Sequence, residues 1–325
     1  MPVSTIGAPF DPDMCQREST RLAFGQAVVD LGERDADVVF LTADGTTPTG
    51  TVEFFKRFPE RAFNVGIAEQ NVMGVAAGMA SCGLVPIVGG YAPFLAFRSL
   101  EQLRNDIAYT EFHVIVGGVY SGISMYAGGS THHTLEDLAT LRSIANMTVI
   151  TPADAREAYK ATIAAVRHPG PVFIRLGGRT SEPVLYTDDY DFQIGKAIQI
   201  RDGKDATIIA TGPTVVYAAI ASDILREEGL SIRVLNMHTV KPLDEEAIER
   251  AAHETGRILT VEEHNVLGGL GGAVAEVVTS ECPVPVKRLG IPDIFASIGP
   301  LYELQRKYGL THEGIASSVR ELVSK

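Results

Sequence analysis

Asn64-Val65-Gly66-Ile67-Ala68-Glu69-Gln70-Asn71 is the stretch on which the fold turns. It sets one carboxylate at the start of residues 67–81, a segment otherwise rich in Ala, Gly, Val and Met that reads as a helix of small side chains. On electrostatic grounds Glu69 can simply satisfy the positive end of the helix dipole; a functional carboxylate is the competing reading. On either side lie short apolar runs of strand length. Val38-Val39-Phe40-Leu41 precedes the helix and Val85 to Val88 follows it. Continuous apolar strands are those buried on both faces, as in parallel sheets flanked by helices.

The alternation continues outward. Residues 95–109 read as a helix, and Val114-Ile115-Val116 and Thr148-Val149-Ile150 as strands. At Thr151-Pro152-Ala153-Asp154, Pro152 opens a helix with Thr151 as its N-cap. Val172-Phe173-Ile174 closes the first set. Between about 180 and 203 the pattern weakens into polar, acidic sequence, including Thr187-Asp188-Asp189-Tyr190-Asp191, which reads as a linker. A second set follows. Its strands are 207–210, 232–235, 258–261 and Val284-Pro285-Val286, and its helices 214–228, 244–255 and 270–280, before terminal helices. The expectation is an α/β protein of two doubly wound domains with mainly parallel sheets: 1–186, a linker over 187–203, and 204–325.

Composition narrows the function. The 325 residues carry 28 basic and 40 acidic side chains, a net charge of −12, and are 45% hydrophobic. That balance disfavours nucleic acid or an anionic membrane surface as partner, since both require a basic face. Three widely spaced cysteines, Cys15, Cys82 and Cys282, suit neither a disulfide framework nor a zinc site. They fit a reducing, cytoplasmic setting. There is no signal-like N-terminus and no apolar window of about 18 residues, so no membrane span is expected. Phosphate-loop, G-x-S-x-G and H-E-x-x-H motifs are absent. Leu267-Gly268-Gly269-Leu270-Gly271-Gly272 opens a helix. It is read as a tightly packed loop in preference to an anion cradle.

Two more stretches are chemically suggestive. Tyr91-Ala92-Pro93-Phe94 is an aromatic pair after two glycines, and Gly128-Gly129-Ser130-Thr131-His132-His133 sets adjacent histidines in a small-residue loop. Such histidines are either on the surface or in a polar site.

Taken together and in order, GIAEQN, YAPF, STHHTLEDLATLRSIANMTVITPAD and LNMHTVKPLDEEAI resemble the C-terminal half of transketolase. They are also similar to 1-deoxyxylulose-5-phosphate synthase and to the β subunits of 2-oxo-acid dehydrogenases. The resemblance covers essentially the whole chain, as a pyrimidine-binding domain followed by a transketolase C-terminal domain. The THH…LED…LRSIANM stretch favours transketolase.

This resemblance implies a thiamine diphosphate enzyme that moves a two-carbon ketol unit from a ketose phosphate, or a related anionic sugar, to an aldose. Glu69 would hydrogen-bond the aminopyrimidine ring of the cofactor, for which it should be buried with its pKa raised by desolvation. Phe94 would stack on that ring, Tyr91 would line the pocket, and Ile123 and Met125 would give apolar contacts. His132 would face the substrate. Arg175 or Arg179 would clamp its anionic group, and Asp44 would supply an acidic residue at a strand end. No metal ligand is expected in this chain. The family's G-D-G motif and downstream Asn, which hold the diphosphate and Mg²⁺ in a separate N-terminal domain, do not occur. The resemblance therefore implies a split transketolase, completed by a subunit carrying that motif, in an α2β2 assembly.

Two positions depart from the family pattern. Gly128 stands where an Asp reads a substrate hydroxyl, and Tyr120 stands where a histidine binds phosphate. Both lie in the substrate channel, which implies retained chemistry on an altered substrate: a branched, deoxy or sulfonated sugar, or a phosphate held differently. The alternatives are another thiamine diphosphate enzyme (synthase-like or 2-oxo-acid decarboxylating) and a non-catalytic subunit.

Overall fold

The computed structural model describes residues 17–178, 182–186 and 188–324. In chain order its strands are β1 (Arg17–Glu18), β2 (Val38–Thr42), β3 (Ala62–Asn64), β4 (Val85–Tyr91), β5 (Ile115–Val119), β6 (Thr148–Ile150) and β7 (Val172–Arg175). They continue as β8 (Glu182–Pro183), β9 (Ile198–Arg201), β10 (Ala206–Ala210), β11 (Ile232–Asn236), β12 (Thr239–Lys241), β13 (Ile258–Asn265) and β14 (Val286–Ile291).

A seven-stranded sheet runs β12-β6-β7-β5-β4-β2-β3, parallel except where β12 meets β6. A five-stranded sheet runs β14-β13-β10-β11-β9, parallel except at β9. Strand alternation divides each core in two. In β2, Val39 and Leu41 pack with Val72, Met73 and Ala76 of helix Glu69–Ser81. Val38 and Phe40 face the other way, onto Phe24, Val28 and Phe54. In β10, Ile208 and Ala210 pack with Val215 and Ala219 on one side, and Ile209 packs with Ile248 and Val274 on the other. Both sheets are thus covered by helices on both faces, the doubly wound arrangement that uniformly apolar strands require.

Several boundaries differ from the sequence expectation. Within the expected linker, Ile198–Arg201 pairs antiparallel with β11 as an edge strand, because Ile200 is buried in the second core. Thr239–Lys241 leaves the second half and adds an edge strand to the first sheet. The helix after β6 is Ala155–Ala165, with Asp154 as its N-cap in place of Thr151: the Asp154 carboxylate accepts from Glu157 N at 2.8 Å. An acidic cap offers the helix end a charge as well as an acceptor. Residues 95–109 do not form one regular helix. They contain two π turns, Phe94–Arg98 and Leu103–Ala108, around Leu100–Gln102. The last strand begins at Val286 and extends to Ile291.

The glycine-rich run opens helix Leu270–Glu281, whose N-terminus is already occupied. Glu262 accepts from Leu270 N at 2.7 Å and from Gly271 N at 2.8 Å. A Cβ on Gly269 would collide with that carboxylate. The run is therefore a packing loop closed by the protein's own carboxyl group. Among the described residues no helix is long and apolar enough to cross a membrane.

Candidate active site

In a parallel sheet, ligands gather beyond the carboxyl ends of the strands. Here β2 ends before Asp44, β3 at Asn64, β4 at Tyr91, β5 before Tyr120 and β7 at Arg175. Most of the sequence-derived candidates therefore share one edge by topology alone.

Glu69 is the first residue of its helix and only 5% exposed. Its Oε2 accepts from Arg98 Nη1 at 2.7 Å. The Arg98 guanidinium also lies over the Phe94 ring, 4.4 Å from its centroid. Arg98 is not among the residues singled out from sequence. The π turn over Phe94–Arg98 adds a residue to that turn of helix, a device common at functional sites. The signal available in the sequence is a cation four residues after the aromatic candidate.

An aromatic wall continues from Phe94. Tyr91 packs on Phe94 at 5.9 Å between ring centroids and stacks on Tyr120 at 5.2 Å and 19°. His132 meets Phe94 edge-on at 5.3 Å, and its Nδ1 lies 3.0 Å from Thr131 Oγ1. Tyr120 is buried and has a left-handed backbone, φ 62°. Such a conformation is uncommon for a bulky residue and is concentrated at functional sites. His133 is buried, and burial holds its pKa below the ordinary imidazole value. Beside these rings lies a cleft of about 340 Å³ bounded by Phe94, Arg98, Ser130, Thr131, His133 and Phe295.

Other candidates are placed differently. Asp44 is exposed, has φ 59°, and is tied to Asn64: Asp44 N donates to Asn64 Oδ1 at 3.0 Å, and Asn64 Nδ2 donates to Asp44 Oδ1 at 3.1 Å. Met125 is half-buried beside Gly128. Ile123 is a correction. Its side chain is fully buried in the core with Leu135 and the second sheet, so it is not presented to the cleft. Arg175 is a second correction. Its Nε donates to the buried Asp137 Oδ2 at 2.8 Å, and its Nη2 donates to Thr134 O at 3.0 Å and Glu263 O at 2.9 Å. A guanidinium so engaged through Nε and Nη2 braces the loops from behind the cleft. Arg179, the alternative, lies outside the described residues. Among the described residues no group of three or more His, Cys, Asp and Glu side chains is disposed to hold a metal ion.

The arrangement offers a buried acid at a helix start, an aromatic wall beside it and an imidazole at the rim. These groups suit an aminopyrimidine ring, which needs a carboxyl to reach its ring nitrogen and a flat apolar surface to stack on.

Comparison with known proteins agrees. Residues 16–180 match the family described as transketolase, pyrimidine binding domain, and residues 195–315 match transketolase, C-terminal domain. The chain is 43% identical to one of the subunits of the apulose-4-phosphate transketolase of Phocaeicola vulgatus, over 94% of this chain and 97% of that one. It is 38% identical to a 6-deoxy-6-sulfo-D-fructose transketolase subunit of a Clostridium species, over 98% and 99%. A solved split gene transketolase, described as an inactive β4 tetramer, superposes with a TM-score of 0.87 at 40% identity, covering 95% of this chain and 99% of that one. The chain belongs to the transketolase family, as a subunit of the split, thiamine-diphosphate-dependent form.

Proposed function

We propose that this chain supplies the pyrimidine-activating half of a two-subunit transketolase acting on a non-standard anionic ketose, with the diphosphate and its Mg²⁺ held by a partner subunit that carries the G-D-G motif. The observation that carries the reading is Glu69: a nearly buried carboxylate beside the Phe94–Tyr91–His132 wall. Thiamine diphosphate, when bound, supplies the nucleophilic carbon that cleaves the ketose beside its carbonyl. The protein's part is orientation and proton placement. Glu69 would hydrogen-bond the pyrimidine ring nitrogen of the bound cofactor, and Phe94 and Tyr91 would supply the flat surface against that ring. His132, at the cleft rim, hydrogen-bonds an oxygen of the sugar near the bond that breaks. Arg98 first has to leave, because it holds Glu69 Oε2 and covers the face of Phe94.

The substrate is read from the departures. Tyr120 is turned onto Tyr91, and Gly128 presents no side chain where a carboxylate would read a hydroxyl. Two relatives are named for apulose 4-phosphate and for 6-deoxy-6-sulfo-D-fructose, which supports a non-standard anionic sugar as acceptor or donor. The inactive β4 tetramer of the split relative supports the need for a second subunit type, assembled here as α2β2 in the cytoplasm.

The test is Glu69→Gln in the chain reconstituted with its partner. Removing a positioned proton-transfer group costs about 10²–10⁴-fold in rate. Activity within a factor of a few of wild type would remove Glu69 from the chemistry. The chain alone is expected to turn nothing over and to bind thiamine diphosphate poorly. Product analysis with pyruvate against ketose phosphates separates transketolase from synthase-like chemistry.

A further inference from the structure

The loops that carry Tyr120 and His132 are tied to one another and then to the second domain. Gly122 N donates to Thr134 O at 3.1 Å, and Thr134 N donates to Gly122 O at 2.9 Å. From β13, Glu263 Oε1 accepts from Ile123 N at 3.0 Å, and Asn265 N donates to Leu135 O at 2.8 Å. The other oxygen of Glu263 accepts from Gln305 Nε2 at 3.2 Å. Gly122 has φ 62°, and a Cβ there would collide with the Glu263 carboxylate, so glycine is what lets the carboxylate reach the loop. Behind the loop is a cavity of about 150 Å³ lined by Ser121, Ser124, Arg175, Glu182, Glu263 and Gln305. Across that cavity the loop is held by these hydrogen bonds together with the buried Ile123 side chain.

Glu263 is buried, distant in sequence from every motif of the cleft, and touches none of the cleft-lining side chains named above. A buried carboxylate is costly unless its acceptors are used, and one of its two oxygens is spent on a single loop amide. We infer that Glu263 is a positioning residue: from the C-terminal domain it fixes residues 120–126, and through the Gly122–Thr134 pairing the His132 loop, in the register that seats Tyr120 on Tyr91 and His132 on Phe94. The inference rests on the proposed reading that these loops line the active site. It gives the C-terminal domain a defined part in a reaction whose groups lie on the other domain.

The test uses Glu263→Ala and Glu263→Gln. In the full chain alone, hydrogen exchange of amides in 120–126 and 132–135 is expected to speed up about 10-fold or more in Glu263→Ala, with β10 and β11 unchanged. Glu263→Gln keeps an acceptor for Ile123 N and is expected to restore protection. In the complex with the partner subunit, Glu263→Ala is expected to lower kcat/KM about 10–100-fold, as small misplacements of reacting groups do, and Glu263→Gln to recover most of it. Unchanged loop exchange in Glu263→Ala would overturn the inference. So would exchange raised equally throughout the second domain, or failure of Glu263→Gln to rescue. Should Glu263→Ala not fold, Gly122→Ala pushes the loop off the same carboxylate from the other side and must give the same local pattern. The exchange readout needs no turnover. A wild-type complex without transketolase activity would therefore defeat the proposed function while leaving the tether standing.

Discussion

Arg98 and Arg175 flank the same loops and are used in opposite ways. Arg98 has a side chain 48% exposed, one carboxylate partner and one aromatic face, all on the open side of the cleft. Arg175 is buried behind the loops, with Asp137, Thr134 O and Glu263 O taking its Nε and Nη2 donors. Both are cations at the carboxyl edge of the first sheet. What separates a binding arginine from a bracing one is not place or charge but whether its donors are already committed. The open side can exchange partners cheaply; on the braced side an exchange leaves the buried Asp137 carboxylate unpaired.

The largest expected effect follows from the braced side. Arg175→Ala removes the partner of a fully buried carboxylate and leaves Asp137 uncompensated. Breaking such a pair costs about 3–5 kcal/mol. Urea denaturation of the isolated subunit is expected to show that loss, or no folded subunit at all. A stability change under about 1 kcal/mol, with a selective rise in KM for the anionic substrate, would restore Arg175 to the clamp role and break the contrast.

A second effect concerns pH. Burial pushes Glu262 from 4.5 up to about 7, and Glu157 and Glu182 likewise to about 7. A carboxyl whose folded pKa is raised holds its proton better when folded. Its contribution is present below the unfolded value and is lost as pH rises through the folded one, here across 4.5 to about 7. His264 moves the other way, from 6.5 to about 4, chiefly by burial. Its neutral ring fits its contacts: Nδ1 lies 2.7 Å from Asn265 O, and Nε2 accepts from Ala139 N at 3.4 Å. That contribution is lost as pH falls from 6.5 towards 4. With three carboxyls raised against one imidazole lowered, the subunit is expected to gain stability as pH falls from about 7 towards 4.5, with Tm several degrees lower at pH 8 than at pH 5. Glu262→Gln should flatten the alkaline decline whatever it does to the absolute Tm. An unchanged slope would show that Glu262 does not carry the effect.

The sequence reads well where one physical pattern decides and poorly where two compete. The doubly wound sheets were legible because uniformly apolar strands such as Val38–Leu41 have no exposed face to alternate with. Glu69, Phe94, Tyr91 and His132 stood out because their motifs are unusual, and the fold sets Tyr91 and His132 against Phe94 and links Glu69 to it through Arg98. Thr151 lost the N-cap to Asp154 because both are good caps, and only the packed chain shows that Asp154 also accepts from Leu185 N and Tyr186 N. Strand Ile198–Arg201 was hidden because an edge strand beside an acidic stretch carries too few apolar residues to stand out. The contacts made by Arg175, Ile123 and Glu263 were not legible in the sequence. Their roles depend on contacts across 38 to 140 residues of chain, which no local pattern records.

The smallest effect lies on the open side and sharpens the contrast with Arg175. Arg98 links Glu69 and Phe94, the two groups a pyrimidine ring would use. A half-exposed ion pair is worth about 0–1 kcal/mol, and an exposed cation–π contact about 0.5–1 kcal/mol. Their sum, discounted for solvent, is about 1 kcal/mol that any ring must overcome to displace the guanidinium. Arg98→Gln is thus expected to lower subunit stability by about 1 kcal/mol at most. It should tighten thiamine diphosphate binding to the reconstituted complex about fivefold, read by calorimetric titration, since about 1.4 kcal/mol corresponds to tenfold. Weaker cofactor binding in Arg98→Gln would mean that the guanidinium supports the bound ring instead of covering its place. Arg98 would then belong with Arg175 among the residues whose donors are already committed.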